Sequence, residues 1–384
     1  MRRSLVSVFL PAALVAACSE AGPKQSQAGP WSSLTAFGAS TCGLTTGGSA
    51  YCWGDDSAGG LGDGSTTSRP LPTPVSGGIR FARLYHSCGL TSGGSAYCWG
   101  DNYYGELGDG TTTDRLTPAA VAGGLSFASL AKGGNHTCGL TTTGTAYCWG
   151  LNYYGELGDG SGTDSHTPVP VTGQLSFASL AAGGFHTCGV TAAGVAYCWG
   201  SNEFMQLGNG STTPYPSAVP VAVMGGLRFT SLTAGSAYTC GLIVGGAAYC
   251  WGLNTYGQLG DGSTDSSTGN VRRAPVAVVG DLRFAVLDAG SSHTCGVTTG
   301  GAAYCWGINI RAQLGDGTIN ISKTAPVTVA GTLTFTSLAA GAFHTCGVTT
   351  GGDAYCWGEN LAGELGDGSG SSYSTVPVAV ANPE

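Results

Sequence analysis

Short apolar runs alternate with glycine-rich polar segments along most of this chain, and the alternation repeats. One unit reads FASLAAGGFHTCGLTT, a Gly-Gly pair, AYCWG, an Asn, YGELGDG, a variable polar stretch and then TPVPV. The runs are short, contain Val, Thr and Tyr, and end at glycine turns, which is the pattern of strands. In the third copy it predicts four strands, at Phe127–Ala131, Thr137–Thr141, Thr145–Trp149 and Pro168–Val171. The 68 glycines and the scarcity of Glu and Lys work against helices. Seven copies follow one another at a period of 46–55 residues, read from the first cysteine of each at 42, 88, 138, 188, 240, 295 and 346. Four short strands repeated every 40 to 50 residues or so indicate a β-propeller, whose blades pack both faces on their neighbours. The expected fold is therefore all-β, a seven-bladed β-propeller of four-stranded blades over residues 31–384.

The two ends of the repeat array suggest how such a ring would close. The first copy starts at Trp31-Ser32-Ser33-Leu34 with no leading PVPV strand, and the last finishes on Val376–Val380. Closure by pairing of the N- and C-terminal strands, Val376–Val380 with Trp31–Leu34, would leave no open edge for aggregation. An open solenoid would instead need a capping repeat at each end, and neither end is atypical.

Cysteine spacing sharpens the picture. Fourteen of the fifteen cysteines form seven pairs ten positions apart: Cys42/Cys52, Cys88/Cys98, Cys138/Cys148, Cys188/Cys198, Cys240/Cys250, Cys295/Cys305 and Cys346/Cys356. Between Cys42 and Cys52 two strands, Cys42–Thr45 and Ser49–Cys52, flank a Gly47-Gly48 turn, so the two thiols face each other across the hairpin. Opposed residues of a non-hydrogen-bonded pair lie about 4.5–5.5 Å apart at Cβ, close enough for a disulfide. Seven reduced, buried pairs are the alternative; zinc would want four ligands with short spacings.

The fifteenth cysteine, Cys18, stands apart. It follows Arg2, Arg3 and an apolar run from Leu5 to Ala17 that is too short for a membrane span, the layout of a secretory signal over residues 1–17. Leu14-Val15-Ala16-Ala17-Cys18 resembles the lipobox of bacterial lipoproteins, which implies a lipid on Cys18 and a flexible tether over residues 18–30. Ser19 after the cysteine implies, by that resemblance, the outer membrane of a bacterial cell envelope. The expected protein is lipid-anchored, in contact with the membrane only through Cys18, periplasmic or surface-exposed, and monomeric. Such a compartment permits disulfides.

AYCWGDNYYGELGDG (Ala96–Gly110) and AAGGFHTCGV (Ala181–Val190) resemble the repeat of the regulator of chromosome condensation family. The likeness covers all seven copies and implies the propeller fold. Function is left open, because that family spans a guanine-nucleotide exchange factor, a plant photoreceptor and a secreted bacterial β-lactamase inhibitor.

Charge excludes one class of partner. The net charge is −8, only 9% of residues are charged, and the lysines are Lys24, Lys132 and Lys323, so no clustered basic surface exists for nucleic acid.

Residues present in every copy are scaffold by the simplest reading. Trp53, Trp99, Trp149, Trp199, Trp251, Trp306 and Trp357 should pack between blades. His86, His136, His186, His293 and His344 stand two residues before the first cysteine of their copies, with Ser40 and Tyr238 in copies one and five. They are expected to bond a neighbouring turn or backbone carbonyl rather than a metal. The aspartates of the LGDG turns (Asn209 in copy four) read as turn residues, and the alternating acids of a calcium loop are missing.

Function should lie in what varies between copies. Aromatics concentrate in the loop before ELG, at Tyr103, Tyr104, Tyr153, Tyr154, Phe204 and Tyr256, and local charge in the loop of copy five, at Arg272 and Arg273. These are the candidate partner-binding residues. No nucleophile elbow, zinc helix or phosphate loop occurs, and His166 beside Asp164 and Ser165 makes no positioned triad. The expectation is a non-catalytic exported binding protein, without cofactor or metal, whose loop face takes another protein or an envelope glycan. Inhibition of a secreted or periplasmic enzyme, a structural envelope role and, by repeat-family analogy only, guanine-nucleotide exchange are the alternatives.

Overall fold

A computed structural model of the chain describes residues 30–264 and 270–383. The expected secretory signal, Cys18 and most of the expected tether lie outside the described residues, as does part of the copy-five loop. Every strand of the described residues belongs to one of seven four-stranded antiparallel sheets, and each sheet is built from one repeat. In each blade the strands run in sequence order from the inner edge, here called strand a, to the outer edge, strand d. In the third blade a is Phe127–Lys132, b His136–Thr141, c Ala146–Gly150 and d Ser165–Pro170. The four strands expected from sequence are all present, each displaced by a few residues at most.

Cysteine register is as the spacing requires. Cys138 lies opposite Cys148 in the b–c hairpin and is disulfide-bonded to it, with Cα atoms 4.0 Å apart. The other blades repeat the bond: Cys42 is joined to Cys52, Cys88 to Cys98 and Cys188 to Cys198. Cys240 is joined to Cys250, Cys295 to Cys305 and Cys346 to Cys356. In blades four, five and six the strand register sets Cys198, Cys250 and Cys305 directly opposite their partners, so the pairing is oxidised rather than a set of buried thiols. All fourteen sulfurs belong to residues with no exposed surface.

The core is distributed between blades. In one cluster the Cys88–Cys98 pair, Leu90 and Leu107 of the second blade meet Phe127, Leu130 and Trp149 of the third. Gly108, at φ +71°, shows how tight this contact is: an added Cβ would lie 2.6 Å from the Trp149 indole. Only glycine accepts both that φ and that approach.

Ring closure differs from the expectation. The strand d of blade seven, Tyr373–Ala379, pairs with strand c of its own blade, Ala354–Glu359, and Trp31–Phe37 pairs with Ser40–Thr45. Among the described residues no strand crosses between the first and last blades. The reason is phase: each repeat runs from inner to outer strand, so blade one begins at Trp31 complete and needs no strand from the C-terminus. Blades one and seven meet face to face. Trp31 and Trp53 pack with Cys346, Val348, Cys356 and Val380, and the Trp31 N–H donates to the Gly352 carbonyl at 3.2 Å.

Candidate functional site

Antiparallel strands place the a–b turns and c–d loops at one end of the ring, and this end carries the candidate residues. Its loops are held from below by a repeated set of hydrogen bonds. In the second blade Asn102 Oδ1 accepts from the Leu107 N–H at 3.0 Å, while its Nδ2 donates to the carbonyls of Thr111 and Thr113. Glu106 Oε2 accepts from the Tyr104 N–H at 2.9 Å. Its main-chain carbonyl receives both the Trp149 indole N–H, at 3.0 Å, and the Thr137 hydroxyl, at 2.8 Å, from the third blade. Backbone groups that would otherwise be buried unpaired are thereby satisfied, and each loop is tied to the next blade.

The LGDG aspartates close these loops. Asp109 accepts from the Thr111 N–H and hydroxyl and from Arg115 Nε, at 2.9, 2.7 and 2.7 Å. Burial acts to raise its pKa, but those donors outweigh it and hold the carboxyl below its usual range. Asp63–Arg69, Asp261–Arg272 and Asp316–Lys323 are equivalent pairs, at 2.7, 2.8 and 3.9 Å. The turn reading of these aspartates agrees with this geometry. Arg272 is thereby committed to Asp261, which leaves Arg273 as the exposed arginine of that loop.

On this frame stand the aromatics. Tyr103 and Tyr153 are 72% and 74% exposed, and each ring meets the edge of its half-buried neighbour, Tyr104 or Tyr154, at 4.8 Å between centroids. Tyr154 also contacts Phe185, at 5.9 Å. Phe185 belongs to the a–b turn of blade four and escaped the sequence reading; its signal is the residue before the ring histidine or its replacement, which varies as Ala39, Tyr85, Asn135, Phe185, Ala237, Ser292 and Phe343. Phe204 and Tyr256 are half-buried, and their loops expose Glu203 and Thr255 instead. The structure thus brings Tyr103, Tyr104, Tyr153, Tyr154 and Phe185 onto adjacent blades, with the exposed carboxylates of Asp101, Asp114 and Asp164 on the same loops.

Beneath the loops the histidines join blades. Nε2 of His136, His186, His293 and His344 lies 2.8–2.9 Å from the hydroxyl of Thr187, Thr239, Thr345 and Thr41 in the next blade. Each threonine gives its own proton to a loop carbonyl, so each imidazole must be the Nε2–H donor. Burial pushes the first three imidazoles down to about 3 and His344 to about 4, so all are neutral. The partner is therefore a threonine hydroxyl, which relays to a carbonyl, rather than a turn or carbonyl directly. Among the described residues no group of three or more His, Cys, Asp or Glu is arranged to hold a metal.

His86 departs from this pattern. Phe81 and Cys88 are seven residues apart, whereas Phe127 and Cys138 are eleven, so copy two is four residues short in its a–b turn. His86 adopts φ +56° and turns back to the first blade, with Nε2 3.0 Å from the Ser40 hydroxyl. Serine in copy one leaves the space that this imidazole occupies.

The inner strands enclose a channel cavity of about 460 Å3, lined mainly by Ala and Gly and interrupted by Lys132, His86 and Asp288. Asp288 accepts from the Thr233 hydroxyl and the Ala340 N–H, at 3.3 and 2.8 Å, joining blades five, six and seven. Burial raises its carboxyl to about 6.

Comparison with known proteins adds the following. Residues 85–384 match the family model of the RCC1-like domain. The Ultraviolet-B receptor UVR8 of Arabidopsis thaliana is 32% identical over 151 residues, 38% of this chain; the match spans a third, 33%, of the receptor's length. A structure of yeast RCC1 (Prp20) bound to Kap60 superposes with a TM-score of 0.78 at 20% identity, covering 97% of this chain and 91% of that one. A second, of Prp20p from Saccharomyces cerevisiae, described with its binding properties to Gsp1p and histones, gives 0.77 at 22% identity over 88% and 87%.

Proposed function

The chain belongs to the RCC1-like domain family, and from that membership and its loop face we propose that it is a non-catalytic module that binds another protein through the Tyr103–Tyr104 and Tyr153–Tyr154 pairs. The observation that carries this reading is the exposure of Tyr103 and Tyr153 on loops whose backbone is fixed from below. An exposed ring on a mobile loop loses entropy when it is buried; a ring on a fixed loop loses little, which favours tyrosine as an anchor. Phe185 and the Tyr154 ring extend the apolar patch. The similar yeast propeller is described bound to Kap60 and with binding properties to Gsp1p and histones, which supports a protein as the partner class here.

We place this activity in a bacterial cell envelope, on a chain anchored by a lipid at Cys18. The signal-like residues 1–17 and fourteen cysteines paired in disulfides both suit an exported chain. Inhibition of a secreted enzyme would be one form of the same binding activity.

The test uses Tyr103→Ala and Tyr153→Ala together. Capture of the protein partner from envelope extract should fall by roughly 30-fold or more, corresponding to about 2 kcal/mol. Undiminished capture by the folded double variant would reject the face.

A further inference from the structure

The a–b turns form a collar around one mouth of the channel. Gly134 N–H donates to Gly183 O at 3.1 Å, Gly184 to Gly235 at 3.3 Å, Ser236 to Ser291 at 3.3 Å, Ser291 to Gly341 at 3.3 Å and Ala342 to Gly38 at 2.8 Å. These links run from blade three through blade seven to blade one. Blade two lacks the four residues that would complete the collar, so the mouth has a notch there.

Lys132 stands at that notch, and it is not scaffold. Its equivalents in the other copies that carry the turn are Ala36, Ala182, Ala234, Ala289 and Ala340. The lysine lines the cavity with His86. Among the described residues its ammonium has no hydrogen-bond acceptor, and no carboxylate lies within salt-bridge distance. Burial pushes its pKa down, opposed by Glu106 and Asp101 at longer range. A half-buried cation without a contact partner costs free energy that a bound anion would recover.

We propose that the notch and the channel behind it bind a small carboxylate-bearing ligand, the carboxylate pairing with Lys132 and the rest of the molecule lying among the Ala and Gly walls. The cavity, at about 460 Å3, has the size of a small-molecule site. A single lysine with Glu106 and Asp101 near it, and Asp288 elsewhere on the lining, suits one negative charge and opposes a doubly charged phosphate. Both a free organic acid and the C-terminal carboxylate of a peptide have this chemistry. The notch opens on the same end of the ring as the loop tyrosines, but the cavity lining contains none of Tyr103, Tyr104, Tyr153 and Tyr154.

The three lysines of the chain make the test direct. Carbon-13 labelling at lysine Cε gives one signal each for Lys24, Lys132 and Lys323, and the Lys132→Ala variant identifies the middle one. Alanine at the equivalent position of five other blades means that this variant should fold. Benzoate should shift the Lys132 signal saturably and leave Lys323 unmoved, with benzamide inert. A short peptide with a free C-terminus, compared with its amide, distinguishes the second source: a shift with the free acid alone assigns the site to a chain terminus. Calorimetric binding of whichever acid shifts the signal should vanish in Lys132→Ala and persist in Lys132→Arg. Either acid meeting these criteria supports the proposal. It is overturned if neither acid moves the Lys132 signal, if the amides move it equally, or if Lys132→Ala binds as tightly as the parent chain.

Discussion

At the scale of single residues, the loop position that precedes Leu-Gly in copies two to seven shows how one site tolerates two chemistries. It is Glu in Glu106, Glu156 and Glu364 and Gln in Gln206, Gln258 and Gln313. In each case a side-chain oxygen accepts from the N–H two residues earlier. For Glu156 the other oxygen is buried without a partner, and burial raises the carboxyl to about 7. The folded state therefore holds its proton to higher pH than the unfolded chain, whose value is 4.5. Stability from this group is full below pH 4.5 or so, falls as pH rises, and is gone above about 7. Glu156→Gln should remove that loss and stabilise the protein at pH 8 by about 2–3 kcal/mol while changing little at pH 4. Denaturant unfolding at the two pH values measures it; equal effects at both would contradict the assignment. The ring histidines act in the opposite sense. Their depressed values mean that the unfolded chain takes up protons first, so their contribution is present above pH 6.5 and is lost as pH falls towards about 3. Histidine NMR should accordingly show His136, His186 and His293 untitrated down to pH 4, and a titration midpoint near 6 would refute the relay geometry.

Elements show what the sequence made readable. Disulfide register and strand order follow from residues recurring in phase, because a ten-residue spacing around a Gly-Gly turn leaves only one way to pair the hairpin. Since all fourteen bonded cysteines lack exposed surface, reductant and alkylating agent should leave them unmodified in the native protein. Mass spectrometry should find all fourteen alkylated only after unfolding; rapid labelling of the folded chain would contradict the buried hairpins. Removing one pair, Cys138→Ala with Cys148→Ala, should cost about 2–3 kcal/mol. The role of Arg272 was also readable: Asp63 and Arg69, like Asp109 and Arg115, are six residues apart in shorter loops. Other features depended on neighbours. The histidine partners lie on the following blade, and a single repeat holds no information about them. Phe185 joins the tyrosines only because an a–b turn of blade four reaches the c–d loop of blade three.

For the whole molecule, the repeats reveal a ring but not where each unit starts. A circular permutation of the consensus fits the same string, which is why the terminal strands were expected to pair and instead complete separate blades. The missing four residues of copy two are written in the Phe81 to Cys88 spacing, yet their consequence appears only once the other turns form a collar. The polarity of the ring gives the account its central claim: one end, carrying Tyr103 and Tyr153, faces the partner, while the b–c turns at the opposite end do not. Val244, 79% exposed on one of those turns, supplies the control. A photo-crosslinking residue should be placed in turn at Tyr103 and at Val244, and the protein irradiated in the cells that make it. A discrete protein cross-link from position 103 and none from position 244 is the predicted result; no cross-link from 103, or the same product from both ends, would contradict the claim.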